Sequence, residues 1–257
     1  MILAIDSSGL TASVAITDDI NDTAIAEYTV NLKKTHSETL LPMIDEIFEL
    51  TGIVKNTINA VAVAAGPGSF TGLRIGGAAA KGIASALNVP IVPVPTVDGL
   101  AYNLYGYSGL VCPIMDARRN QTYTGIYEYV KNSCDLNTEA PKDCEITGPY
   151  RYEMKTVYKQ CATDIENLID VLNEHGRDVI FVGDGIPVFN EIIDSKLKVM
   201  HTYAPAGLNR QSAVSIGRLG ALYIKSGRIV SAADFAPEYL RQSQAERELN
   251  EGLGDKS

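Results

Sequence analysis

Basic residues are in short supply. Twenty-two lysines and arginines stand against 31 aspartates and glutamates, for a formal net charge of −9. Phosphate backbones need a cationic footprint, so this chain is a poor nucleic-acid binder by itself. Cysteine is sparse too: Cys112, Cys134, Cys144 and Cys161, with no Cys-x-x-Cys pair among them. The three histidines, His36, His175 and His201, lie far from them in sequence, so a zinc site finds little support. Each cysteine reads as a small buried residue or an inert surface thiol rather than a nucleophile. No apolar run reaches the length of about eighteen residues that a membrane span needs. The opening residues MILAIDSS carry neither the basic flank nor the apolar stretch of a signal peptide. The expectation is a reduced, soluble, cytoplasmic protein with no membrane association.

What is present is ordinary for a folded protein. The chain has 257 residues, 46% hydrophobic and 21% charged, enough for one large domain or two small ones. Met1–Ile5 reads as a strand ending at Asp6, with Ala12–Thr17 and Ala24–Leu32 completing a three-strand meander. Thr35 followed by Glu38 is a capping-box pattern, and it predicts a helix to about Thr51, stopped by Gly52 and bent at Pro42. Asn59–Ala65 and Ile91–Val94 read as strands, with a helix over Thr71–Leu87 between them and another expected over Thr96–Leu104. This alternation predicts an α/β layer fold.

The second half opens near Gly106. Leu110–Met115 and Thr122–Tyr129 flank a tight turn at Asp116–Gln121, and Lys131–Thr147 is polar and irregular. Ala162–Glu174 and Asn209–Lys225 read as helices. Val179–Val182 reads as a buried strand running into Gly183-Asp184-Gly185, a loop able either to hold an adenine ring or to cap a helix. The tail from Ser231 is polar, with Ala245–Leu253 a frayed helix or disordered. The two halves open alike, with Asp6 and Asp116 at matching places, as if one plan were used twice. The division expected is an N-terminal lobe over 1–105, a C-terminal lobe over 106–230, and a flexible tail over 231–257.

Asp6 and Asp116 each end a strand and open a hairpin. Facing hairpins of this kind cradle phosphate with backbone amides where glycine permits close approach. Asp6-Ser7-Ser8-Gly9 meets that need. The second turn puts Arg118 and Arg119 where bare backbone is wanted. Those arginines either bind an anion by side chain or are solvated and paired with nearby carboxylates. His36 follows the helix cap without a second histidine one turn on, as a helical metal site requires, so it reads as a polar packing residue. The loop Gly66-Pro67-Gly68-Ser69-Phe70-Thr71-Gly72 lacks the Lys-Ser/Thr ending of a phosphate loop. It is better read as a tight strand-to-helix connection.

The two helices carry the strongest pattern. On the first, Leu40, Leu41, Met43, Ile44, Ile47, Phe48 and Leu50 cover about 180°, where a helix on one sheet needs roughly 100°. On the second, Arg74 and Lys81 are the only charges, and Gly72, Gly76, Ala80 and Ala84 form a smooth ridge every four residues. Gly76, Gly77 and Gly82 each cost about 1 kcal/mol relative to alanine, and packing must offset that. Either the second lobe covers the surplus or another chain does, in an interface on the order of 1,600 Å². The candidate interface is Leu40, Leu41 and Ile44 on the first helix, and Gly72, Leu73, Gly76, Gly77, Ala80 and Ala84 on the second.

The segments MILAIDSS, His36–Pro42, Gly66–Gly76 and Met115–Arg119 together resemble the TsaB (YeaZ) family, Gly66–Gly76 most specifically. The resemblance is close over the first half of the chain and loose over the rest. It implies an ASKHA fold, that of actin and the sugar kinases, in two lobes. It implies a non-catalytic partner of TsaD, which transfers threonylcarbamoyl to N6 of adenosine 37 in tRNAs reading ANN codons. TsaE, an ATPase, joins that pair, and a TsaC-type enzyme supplies threonylcarbamoyl-AMP. The N-lobe helices are then the surface for TsaD and, in the chain alone, for a homodimer. Contact with tRNA is through the complex, and no metal or cofactor is implied. Asp6, Asp116, Arg118 and Arg119 become the vestige of a nucleotide cleft. TsaD-like relatives pair histidines at the first helix and keep glycine in the phosphate turns, and this chain does neither. The alternatives are an enzyme in its own right, either a nucleotide-dependent transferase or a glycoprotease-like peptidase, and a homodimeric module with an unrelated partner.

Overall fold

The computed structural model describes residues 1–32, 35–131 and 152–240. Cys134, Cys144, most of the Lys131–Thr147 stretch and the Ala245–Leu253 segment lie outside the described residues. The first half runs β1 (Ile2–Asp6), β2 (Thr11–Asp18), β3 (Thr23–Asn31), α1 (His36–Thr51), β4 (Ala60–Gly66), α2 (Phe70–Leu87), β5 (Ile91–Pro95) and α3 (Thr96–Tyr102). The second runs β6 (Leu110–Asp116), β7 (Gln121–Lys131), β8 (Tyr152–Asp164), α4 (Ile165–His175), β9 (Val179–Val182), α5 (Ile186–Lys196), β10 (His201–Tyr203) and α6 (Ala213–Lys225).

The strands form two five-stranded sheets of identical plan, β3-β2-β1-β4-β5 and β8-β7-β6-β9-β10. In each, the first strand of its half pairs antiparallel with the next (Ala4↔Ala15, Ile114↔Thr124) and parallel with a later one (Ala4↔Ala62, Cys112↔Phe181). The duplicated opening read from the sequence is therefore a duplicated sheet. β4 is buried along its whole length because helices cover both faces, and its unbroken apolar run follows from that.

Local chemistry accounts for the element ends. α1 stops at Gly52, whose φ of 65° suits glycine, and its N–H reaches Phe48 O at 3.0 Å. The capping box does not form: Thr35 makes no side-chain cap, and the N–H of Glu38 bonds the Thr35 carbonyl instead, at 3.0 Å. α2 begins one residue earlier than expected, because Ser69 Oγ accepts from Gly72 N at 3.2 Å. β8 and β10 were not expected, while α5 is the helix that Gly183-Asp184-Gly185 was read as able to cap, with Gly185 at its N-cap. β8 is an edge strand with neither face fully buried, so its sequence has no clean alternation.

The lobe boundaries need correction. α1 and α2 pack on one face of the first sheet, around Leu3, Ile5, Val14 and Val63. The other face, around Ile2, Ala4, Ala15 and Val92, is covered by Ile216 and Leu219 of α6, from the far end of the chain. The tail returns as well. Val230 exchanges two 2.9 Å backbone bonds with Ile91 at the open edge of β5. Phe235, 3% exposed, enters the core beneath α2. Lys81 Nζ donates to the carbonyls of Ala233 (3.3 Å) and Phe235 (2.9 Å), and Glu238 N donates to Ala65 O at 2.7 Å. The segment expected to be flexible from 231 is thus a packed strap through residue 240.

α3 ties the halves together. Its Asp98 carboxylate accepts from Tyr127 of β7 at 2.5 Å and from Tyr223 of α6 at 2.7 Å. Burial pushes the Asp98 pKa up, and those two hydrogen bonds oppose the rise.

Candidate functional site

A cleft of about 850 Å³ opens between the lobes, lined by the turns after β1 and β6, the start of α2, the start of α5 and the strap. The turn after β1 is already full of internal bonds. The N–H and hydroxyl of Ser8 both donate to Asp6 Oδ1, at 2.9 and 2.6 Å. Ser69 N donates to Ser8 O at 2.7 Å, and Ser7 Oγ donates to Gly72 O at 2.9 Å. A side chain at Gly68 would collide with the Ser8 carbonyl, and one at Gly72 with the Ser7 carbonyl. The glycines therefore serve the tight contact of loop on hairpin, as the packing reading had it. His36 Nε2 lies 2.8 Å from Gly9 O and pins the same hairpin to α1, which is a packing role.

The turn after β6 is held by its own residues. Asp116 Oδ1 accepts from Arg118 N at 2.8 Å, and Asp116 Oδ2 lies 3.5 Å from Arg118 Nη1. Arg118 thus takes the paired, solvated role of the two readings. Arg118, Arg119 and Asn120 all have positive φ, 67°, 55° and 59°. That conformation costs a non-glycine residue about 1 kcal/mol.

Asp184, in the loop after β9, lines the cleft, and its charge falls on Asp6. Burial pushes the Asp6 carboxyl up to about 6, with the Ser8 hydrogen bonds opposing. Burial raises Asp184 too, against the nearby Arg210 guanidinium. A polyphosphate entering here meets carboxylates and a turn whose Ser8 amide is already bonded. Among the described residues, no three of His, Cys, Asp and Glu stand close enough to hold a metal ion. No described helix is long and apolar enough to cross a membrane.

The helical layer requires a correction of orientation. The ridge Gly72, Gly76, Ala80 and Ala84 is buried within the chain, as are Leu40, Ile44, Leu73 and Gly77. A side chain at Gly76 would strike Ser7 Oγ, and one at Gly77 would stand 3.0 Å from the Phe235 ring. These small residues let α2 lie close to the first sheet and the strap. Of the nine residues named as interface, Leu41 alone is exposed, at 55%. The outward face of α2 is a different small stripe, Ala78, Gly82 and Ala86, again four residues apart and exposed. Ile75, Ala79 and Ile83 beside it are half-buried.

Two copies of one mixed sheet facing across a cleft define the actin-like ATPase fold. A family model described as "TsaD: tRNA N6-adenosine threonylcarbamoyltransferase" matches residues 24–249. The tRNA threonylcarbamoyladenosine biosynthesis protein TsaB of Bacillus subtilis is 31% identical over 245 residues, 95% of this chain and 96% of that protein. The protein of the same name from Haemophilus influenzae is 37% identical over 125 residues, 48% of this chain and 51% of its own length. The solved structure of YeaZ from Pseudomonas aeruginosa superposes with a TM-score of 0.72 at 23% identity, covering 93% of this chain and 99% of that one. The chain belongs to the TsaB (YeaZ) family.

Proposed function

We propose that this chain is a non-catalytic scaffold subunit in tRNA threonylcarbamoyladenosine biosynthesis. In this reading it pairs with a TsaD-type catalytic subunit through the outer faces of α1 and α2. Gly82 carries the proposal. It lies in the interior of α2, is exposed, and has nothing within 4 Å of where a Cβ would be. A glycine there costs about 1 kcal/mol relative to alanine, and no contact within the described residues offsets it. Close approach of a foreign helix does, because small residues four apart leave room for another backbone. Leu41 and the half-buried Ile75 and Ile83 supply apolar area beside it.

Without that subunit, two copies of the chain meet through the same face. A TsaE-type ATPase joins the pair, a TsaC-type enzyme supplies the activated group, and the modified position is N6 of adenosine 37 in tRNAs reading ANN codons. The tRNA is held by the assembly, in keeping with a chain of net charge −9. The setting is the cytoplasm. The filled hairpin turn and the carboxylates of the cleft support a role without nucleotide chemistry of its own.

The test is Gly82→Arg in the full chain, co-purified with the TsaD-type subunit of the same organism. The expected result is loss of the pair with a melting temperature no lower than that of the unsubstituted chain. Undiminished co-purification would overturn the reading.

A further inference from the structure

Four large apolar side chains stand in water around the inter-lobe cleft. Leu10 is 64% exposed, Leu32 56%, Val188 53% and Tyr239 40%, and all four line the cleft. They come from separate places: the turn after β1, the residue following β3, the first turn of α5, and the strap. Single exposed apolar residues are unremarkable, but several gathered at one concave mouth mark a surface that something covers.

The charge of the lining says what kind of occupant. Its charged residues are Asp116, Asp184 and Glu238 against Arg118, with His36 at one side and the Arg210 guanidinium, outside the lining, near Asp184. Arg118 is already beside Asp116, at 3.5 Å. Glu238 accepts from Gln160 of β8 at 3.2 Å, so it holds the strap to the other lobe. Asp184 Oδ1 is shielded from solvent and has no hydrogen-bond partner among the described residues. The lining therefore carries an excess of negative charge, with apolar side chains ringing it.

We propose that the cleft is a docking groove for an apolar segment of a partner protein that carries one lysine or arginine. The basic side chain reaches the Asp184 and Asp116 carboxylates, and its apolar neighbours cover Leu10, Leu32 and Val188. A cation among these carboxylates gains more than it would in water, because the surrounding protein excludes solvent. The groove shares Ile75 and the first turns of α1 and α2 with the pairing face, but Gly82 is not part of its lining, so a change at Gly82 separates the two contacts.

The probe is an array of nonapeptides with leucine, valine or phenylalanine flanks and arginine, lysine, citrulline or glutamate at the centre, read with the purified full chain. Peptides with a central arginine or lysine are expected to bind at least tenfold tighter than their citrulline counterparts. Asp184→Asn is expected to remove that preference. Val188→Asn, at an exposed position, is expected to weaken all the peptides alike by disrupting the apolar rim. Gly82→Arg should leave peptide binding intact while abolishing subunit pairing, so failure of one reading is distinguishable from failure of the other. An array with no preference for a basic centre, or no binding at 1 mM peptide, overturns the proposal. So does preference retained in Asp184→Asn, unchanged binding in Val188→Asn, or displacement of the peptides by ATP with magnesium.

Discussion

The ring of Phe235 rests on Gly77. A Cβ at Gly77 would stand 3.0 Å from Phe235 Cε1, so the bare backbone of α2 is the floor of the aromatic pocket. The ring belongs to the same core cluster as Leu3, Ile47 and Val63 although it lies more than a hundred residues later in the chain. Phe235→Ala is expected to destabilise the protein by about 3–5 kcal/mol, the usual cost of emptying a buried aromatic site. Urea denaturation checks it; a loss below 1 kcal/mol would mean the strap is only laid on the surface.

The glycines of α2 divide by what lies opposite them. Gly76→Ala drives a methyl into Ser7 Oγ and is expected to cost about 1–3 kcal/mol. Gly82→Ala meets open space and is expected to stabilise the isolated chain by up to about 1 kcal/mol, with a higher melting temperature. Equal effects from the two substitutions would contradict the orientation of the helix.

Asp6 makes stability depend on pH in an unusual direction. Its carboxyl is held at about 6 by burial, above the ordinary 3.8, so the folded state binds this proton more tightly than the unfolded state does. Below about pH 4 both states are protonated and the site costs nothing. As pH rises through 6 the folded state must carry a buried charge, and about 3 kcal/mol is lost. Asp6→Asn keeps an acceptor for Ser8 and is expected to be more stable than the wild type at pH 8. That advantage should close by pH 4. Denaturation at three pH values reads it, and a gap independent of pH would remove Asp6 as its source.

Asp98→Ala leaves the buried hydroxyls of Tyr127 and Tyr223 without their shared acceptor. A loss of about 2–5 kcal/mol is expected, with both lobes unfolding less cooperatively. Calorimetry would show broadening or splitting of a single transition; a sharp, unshifted peak counts against the tie between the halves.

Much of the first sheet was legible because its signals are local. Gly52 ends α1, Asp6 ends β1, and the apolar run of β4 announces a strand covered on both faces. The twofold plan was visible in the matching places of Asp6 and Asp116. What spacing cannot tell is what a small-residue ridge faces. Gly72, Gly76, Ala80 and Ala84 have the pattern of a helix-pairing seam, and the same pattern suits a helix pressed on its own sheet. The pairing stripe proposed here, Ala78-Gly82-Ala86, differs from it by two residues of phase, which only burial distinguishes. The return of α6 and of Phe235 to the first sheet was hidden because it is a contact between distant parts of the chain. Asp184 was noticed in sequence, but its place beside Asp6 needed the fold.

That return has an effect on synthesis. The first sheet has its strands in hand once residue 95 has been made, yet the face lined by Ala4 and Ala62 stays bare until α6 arrives. The edge of β5 and the pocket at Gly77 wait longer still, for Val230 and Phe235. A ribosome-bound nascent chain therefore holds an unfinished sheet until α6, Val230 and Phe235 have been made. Stalled nascent chains ending before residue 213 are expected to be digested readily by protease, and resistance should appear only once residue 240 has cleared the exit tunnel.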